Sequence, residues 1–324
     1  MSTSNFKRRT LVAALALAAA LPVFAQGAFP SKPIRIVVPY AAGGSTDQLA
    51  RAIQQPMAEI LGQPVIIDNK PGAAGTIGVN DVVRAPADGY TLVFGNTGPN
   101  AIVQLMRKVP YDPLKDLSPI STVVFTPMIL AVPSDLPVHN VKEYLAYAKQ
   151  KADTMNYGSV GIGSLSHLTG EYFNELAGIK MQHIPYNGGA PMMTAFLGGQ
   201  IQGAFVTGLD GAALVASGKV KYLAVATPTR TDVVPGLPAI AEDVKGFKSV
   251  AWFGILAPKG IPADVAAKLH AAVVAAVNKP EVRKMFADRK VEAKSSTPAE
   301  LEAIIKEEIA QWGPVIRKGK IEMN

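Results

Sequence analysis

Between Ile34 and Leu61 the chain changes its hydrophobic period. Ile34-Arg35-Ile36-Val37-Val38 is a short β-branched apolar run that predicts a buried strand. Pro39 stops the ladder, and Ala41-Ala42-Gly43-Gly44 provides a backbone able to turn sharply and approach a ligand. From there the apolar residues fall at helical spacing, at Leu49, Ala52, Ile53, Met57, Ile60 and Leu61. Ser45 is expected as the N-cap, with Gln48 at capping-box spacing, and Pro56 is expected to kink the helix or end its first segment. A strand, a glycine turn and a helix start leave backbone N–H groups and a positive dipole end together. That is a site for an anion.

The pattern returns once. Thr154–Val160 reads as a strand, Gly161-Ile162-Gly163 as a permissive turn, and Ser164 or Ser166 as the cap of a helix carrying Leu165, Leu168, Tyr172 and Leu176. One such start in each half suggests two lobes closing on a small acidic molecule. The same glycines also fit ordinary βα turns, so spacing alone leaves both readings open.

Elsewhere the pattern alternates. Strands are expected at Pro64–Asn69, Tyr90–Phe94, Met181–Pro185, Ala204–Thr207, Val220–Ala226 and Val250–Ala257. Helices are expected at Thr76–Arg84, Val141–Lys151, Pro191–Leu197, Gly211–Ala216, Pro262–Val277, Pro280–Arg289 and Pro298–Arg317. Pro110–Ile120 reads as a proline-punctuated connection. The apolar run Ile120–Val132, interrupted at Pro127, is the candidate crossover, and Thr227–Phe247 the way back. Two parallel-sheet lobes around a cleft follow. Residues 26–124 plus 248–324 would form the first and 125–247 the second. Asn96 and Thr97 are placed just past a strand's carboxyl end, where they either hydrogen-bond a ligand or shape the turn.

Composition places this 324-residue chain among compact globular proteins, with 48% hydrophobic and 18% charged residues. Lys7-Arg8-Arg9, the apolar stretch Leu11–Leu21 and Val23-Phe24-Ala25 form a secretory signal pattern, with removal expected after Ala25. That removal takes the formal net charge from +7 to +4. The remaining basic residues are dispersed, which argues against nucleic acid. Cysteine is absent, so neither a disulfide, a thiol nucleophile nor a thiolate metal site enters the reading.

Several stretches together resemble one family. They are Pro33–Asp47, Asn69–Gly75, Ala87–Leu92, Gly163–Leu168, His183–Pro191 and Leu197–Ile201. The chain resembles the extracytoplasmic solute receptors of tripartite tricarboxylate transporters, the Bug family, over essentially the whole mature sequence. The resemblance implies an α/β, two-lobed periplasmic-binding-protein type II fold with a central ligand cleft and a periplasmic location. It implies capture of a small carboxylate, with two waters bridging one carboxylate to both lobes, and delivery to membrane permease subunits by a monomer. A periplasmic sensor component is the alternative. Carried over by position, first-lobe contacts fall on Tyr40, Gly43, Gly44, Ser45 and Thr46, and second-lobe contacts on Gly163, Ser164, Ser166 and His167, with Tyr186 nearby. Asn96, Thr97 and Thr126 complete the candidate set, together with Thr207 and Asp210. Where many relatives carry an aspartate directly after the strand, Thr207 and Gly208 stand here and Asp210 follows. That departure bears on which solute is bound.

Other side chains read structurally. Asp47 falls in a first helical turn, where a carboxylate complements the dipole and would repel an acidic ligand. His167 and Glu171 share a helical face, but no third ligand stands at a supporting spacing, so no metal is expected. His139 and His270 read as surface residues, and Trp252 and Trp312 as core. No nucleophile elbow, HExxH or GK[ST] loop is present. Gly161-x-Gly163-x-x-Ser166 lacks the third glycine of a dinucleotide fingerprint. A binding protein without cofactor is expected, not an enzyme.

Overall fold

The computed structural model describes residues 29–151, 154–186 and 188–322. The chain divides into two compact units, Met1–Ser31 and Lys32–Asn324. The expected signal peptide lies outside the described residues, and every element below belongs to the second unit.

The first strand, β1 (Ile34–Val38), is buried and sits between two parallel neighbours, β2 (Val65–Asn69) and β3 (Thr91–Asn96). The intervening helices are α1 (Ser45–Leu61) and α2 (Thr76–Val83). Leu49, Ile53, Met57 and Leu61 recur every four residues on α1 and are buried, whereas Ile60 falls off this face and is 40% exposed. Pro56 does not end α1, which continues to Leu61. After β3 a tight turn of π-helical type spans Gly98–Ile102. The strand β4 (Leu117–Pro127) begins inside the expected connection Pro110–Ile120 and runs through the apolar stretch expected as the crossover as far as Pro127.

The chain leaves this sheet at Pro127. A second sheet is built from β5 (Ile129–Pro133), β6 (Asn156–Ser159), β7 (Gln182–Pro185), β8 (Gly203–Val206) and β9 (Val220–Val225). Its helices are α3 (Val141–Gln150), α4 (Leu165–Ala177), α5 (Gly189–Leu197) and α6 (Gly208–Ala216). The chain returns as β10 (Val250–Pro258), followed by α7 (Ala263–Val277), α8 (Pro280–Asp288), the two-residue β11 (Glu292–Ala293) and α9 (Pro298–Gly319). The first sheet has the order β11-β4-β10-β3-β1-β2 and the second β7-β6-β8-β5-β9.

The expectation of two purely parallel sheets is corrected here. β10 runs antiparallel between β3 and β4, and β5 antiparallel between β8 and β9. A strand arriving directly from the other sheet has no βα crossover forcing it parallel. The two sheets therefore share one plan: a leading strand flanked by two parallel partners, then the visiting strand, then the strand before the chain leaves, with β11 added at the edge of the first sheet. The crossings are tied to each other. The Met128 amide donates to the Ser249 carbonyl at 3.2 Å, and the Ala226 and Ser249 amides donate to the Met128 and Ala226 carbonyls at 2.7 Å each. Trp252 and Trp312 are buried, as their apolar surroundings anticipate, and His139 is exposed. His270 is not the surface residue expected: it is partly buried, with Nε2 3.1 Å from the Ser296 carbonyl.

Candidate functional site

At the start of α1 the N-cap is Gly44, not Ser45, and no side chain caps it. Gly43, at φ +85°, takes a left-handed conformation that a β-carbon would strain. Its amide donates to Asp47 Oδ2 at 2.9 Å, so Asp47, the third residue of the helix, reaches back to the residue before the N-cap, as the acidic half of a capping box reaches back to its N-cap amide. Gln48 turns back to the Gly43 carbonyl at 2.9 Å instead of completing a box. Asp47 is almost wholly buried and is also held by Arg51 Nε at 2.9 Å and Asn69 Nδ2 at 3.0 Å. Burial alone would raise its pKa. The bonds from Arg51, Gly43 and Asn69 and the Arg51 charge hold it below the usual carboxylate value. Asp47 is thus structural. Among the described residues, no backbone acceptor meets the Ser45 and Thr46 amides in the first turn.

Asn96 closes the β1 side of this turn. It is the last residue of β3, not the first beyond it. Its Oδ1 accepts from Tyr40 Oη at 3.4 Å and the Gly98 amide at 3.2 Å, while Nδ2 reaches Thr46 Oγ1 at 3.5 Å. Burial pushes the Tyr40 phenol up to about 12, the Asn96 contact opposing, so Tyr40 is a neutral hydroxyl. Thr97 and Asn100 are buried, and Thr97 Oγ1 and Asn100 Nδ2 have no partner among the described residues. Asn100, which the sequence reading did not single out, accepts from the Asn96 amide at 3.1 Å.

The second turn is internally bonded. Ser164 caps α4 by accepting from the His167 amide at 3.3 Å, which settles the choice between Ser164 and Ser166. Its own proton goes to the Gly161 carbonyl at 2.6 Å. Ser166, 3.0 Å away, therefore donates to Ser164, and it accepts from the Val160 amide at 3.1 Å. The Gly163 amide donates to His167 Nδ1 at 3.2 Å, which fixes the neutral tautomer with its proton on Nε2. His167 stacks on His183 with ring centroids 3.8 Å apart, and His183 Nε2 lies 2.7 Å from Ser159 Oγ. Glu171 accepts from Tyr157 Oη and so does not face His167 as a metal partner. Among the described residues no cluster of three His, Asp or Glu could hold a metal.

The remaining candidates divide. Tyr186 sits over β6, its amide donating to the Ser159 carbonyl at 3.0 Å and its ring edge 3.4 Å from where a Gly158 Cβ would lie. Thr126 is buried in β4, and its hydroxyl faces the Pro127 carbonyl at 3.4 Å. Thr207 and Asp210 form a reciprocal pair at the start of α6: Thr207 Oγ1 donates to Asp210 Oδ2 at 2.6 Å and accepts from the Asp210 amide at 3.2 Å. Gly208, at the head of α6, packs on the chain just after α8: a Cβ there would lie 2.6 Å from Lys290 Cβ and 2.9 Å from the Lys290 carbonyl.

Two α/β sheets linked by two crossing strands, each with a glycine turn leading into a helix start, make the architecture of a periplasmic binding protein. The chain matches the solved periplasmic binding protein BugD at 35% identity and a TM-score of 0.83, over 91% of this chain and 100% of that one. It matches Rpa4515 of R. palustris, solved with adipate, at 32% and 0.85 over 91% and 99%. It also matches MatC from Rhodopseudomonas palustris, solved with malate, at 33% and 0.81 over 89% and 100%. The chain belongs to the tripartite tricarboxylate transporter family receptors, whose family model matches residues 49–321. These relatives are solute-binding receptors, so the chain is a receptor of that kind and not an enzyme.

Proposed function

We propose that the exported chain captures a small carboxylate between two lobes and delivers it to membrane permease subunits of a tripartite tricarboxylate transporter. Residues 26–124 plus 248–324 form one lobe and 125–247 the other, residues 1–25 being a removed signal peptide. The observation that carries the reading is the open start of α1, where the Ser45 and Thr46 amides meet no backbone acceptor among the described residues and Asn96, bonded to Tyr40, stands 3.5 Å from Thr46 Oγ1. A solute carboxylate at Ser45 and Thr46 gains backbone donors and the positive end of α1, with Tyr40, Asn96 and Thr97 as neighbours. Ser164, Ser166 and His167 bound the crevice from α4. The adipate and malate of the two R. palustris relatives support this solute class.

Closure turns on the bonded crossings at Met128 and Ala226–Ser249. A solute populates the closed form only as far as it binds that form better than the open one. Calorimetry with mono-, di- and tricarboxylates and aromatic acids tests the reading. Saturable binding of at least one is expected, weakened in Ser45→Ala. If every carboxylate fails while neutral solutes bind, the reading is wrong.

A further inference from the structure

The second half of α4 faces the end of α9 across an open cavity of about 390 Å³, a volume that suits a small organic molecule. α4 lies beside the second sheet, while α9 packs on β4 of the first sheet as well as on α4. The Tyr172 ring meets Trp312 edge-on, with centroids 5.9 Å apart, and sets the spacing of the two helices.

Part of the lining is apolar: Val315 and Met181, both buried, and Ile179. Its charged residues are Glu171, Glu175, Lys180 and Lys318. Lys318 Nζ is matched by Glu175 Oε1 at 2.7 Å. Lys180 is exposed, where water and salt screen it. Asn174 is satisfied by the chain ahead of β7, its Nδ2 donating to the Met181 carbonyl at 3.0 Å and its Oδ1 accepting from the Met181 amide at 3.2 Å. Glu171 is the exception. Its Oε1 accepts from Tyr157 Oη on β6, but among the described residues no donor meets Oε2 and no lysine or arginine pairs with the carboxyl. Burial raises the Glu171 pKa, the Tyr157 bond opposing. A cation beside Oε2 would favour the ionised form again.

A partly buried acceptor without a counter-cation, flanked by apolar side chains, matches the needs of a protonated amine. The ammonium would donate to Glu171 Oε2 in a charge-assisted bond, and an apolar body would cover Val315, Ile179 and Met181. A bare ammonium loses the second contribution and a neutral alcohol the first. An anion would meet Glu171 and gain only the solvated Lys180.

We infer that the cavity between α4 and α9 is a second binding site, separate from the carboxylate crevice. It takes a small primary ammonium on an apolar skeleton, with Glu171 as the acceptor.

Calorimetry at pH 7 with 2-phenylethylamine, 2-phenylethanol and methylamine separates charge from apolar body. The first compound carries both, the second only the body and the third only the charge. The amine is expected to bind saturably, about tenfold or more tightly than either of the others. Glu171→Gln keeps an oxygen for Tyr157 Oη and should weaken the amine by a similar factor. Ile179→Trp fills the cavity from its rim and should weaken it too, whereas Lys180→Ala should not. Thermal melts confirm that the variants fold. Absence of saturable amine binding overturns the inference. So does an alcohol that binds as tightly, or an amine affinity left unchanged by both Glu171→Gln and Ile179→Trp. None of these outcomes touches the carboxylate reading, which rests on other residues.

Discussion

The hydroxyls of Thr169 and Ser249 meet at 2.6 Å inside the protein, both almost completely buried. Thr169 sits on α4, and its proton goes to the Leu165 carbonyl at 2.7 Å. Ser249 must therefore be the donor of the pair. Its backbone meanwhile joins both crossings between the sheets. One side-chain bond thus connects the helix that carries Ser164, Ser166 and His167 to the segment about which closure is proposed.

The donor assignment predicts unequal mutants. Thr169→Val strands a buried Ser249 hydroxyl and should cost about 1–3 kcal/mol. Ser249→Ala removes the donor but leaves the Thr169 proton satisfied by Leu165, and should cost nearer the low end. In the double mutant no stranded donor remains, so it should be less destabilised than the two single losses added together. Urea unfolding of the three variants checks the order. A Ser249→Ala that is the more damaging single change would reverse the assignment.

The stacked imidazoles of His167 and His183 predict an acid-sensitive fold. Burial lowers His167 to about 4, and burial together with the His167 charge lowers His183 to about 3. An unfolded histidine titrates near 6.5. Above that value neither state binds the proton, and stability is flat. Below it the unfolded chain takes up protons that the folded chain refuses, so stability falls with pH until the folded values are reached. Each imidazole contributes up to about 1.4 kcal/mol per pH unit across that window. Protonated His167 Nδ1 also cannot accept from Gly163, which loosens the turn before α4. Urea unfolding between pH 7.5 and 5 should show a steeper decline in the wild type than in His183→Gln. Parallel curves would refute the assignment.

How much of this was legible beforehand depended on whether the signal was local. The Pro127 crossing could be read because a proline interrupts a β-branched run, and the α4 cap could be narrowed to Ser164 or Ser166 because both follow a glycine turn, the fold deciding for Ser164. The α1 start was misassigned because Gly44 takes the cap position without a side-chain cap, and Asp47, three residues on, reaches back to the Gly43 amide. β11 is two residues long and exists only through pairing with β4, so no periodicity announces it. His183 escaped for a related reason. It lies in a strand whose neighbours come from distant sequence, and only the folded chain brings it onto His167.

Glu308 on α9 provides a test of opposite sign. It accepts from Trp312 Nε1, and Trp312 is fully buried. Burial pushes the Glu308 carboxyl up to about 7, the Trp312 bond and Lys248 opposing and the Glu307 charge adding to it. Unfolded glutamate titrates near 4.3. Below that pH both states are protonated and the group costs nothing. Between about 4.3 and 7 the unfolded chain ionises while the folded chain holds its proton, so stability declines as pH rises, and above 7 the penalty is constant. Glu308→Gln keeps a carbonyl oxygen for the indole N–H and removes the titration. The variant should melt several degrees higher than the wild type at pH 8 and level with it at pH 4. Equal melting temperatures at pH 8 would show that the folded protein ionises Glu308 as readily as the unfolded chain does.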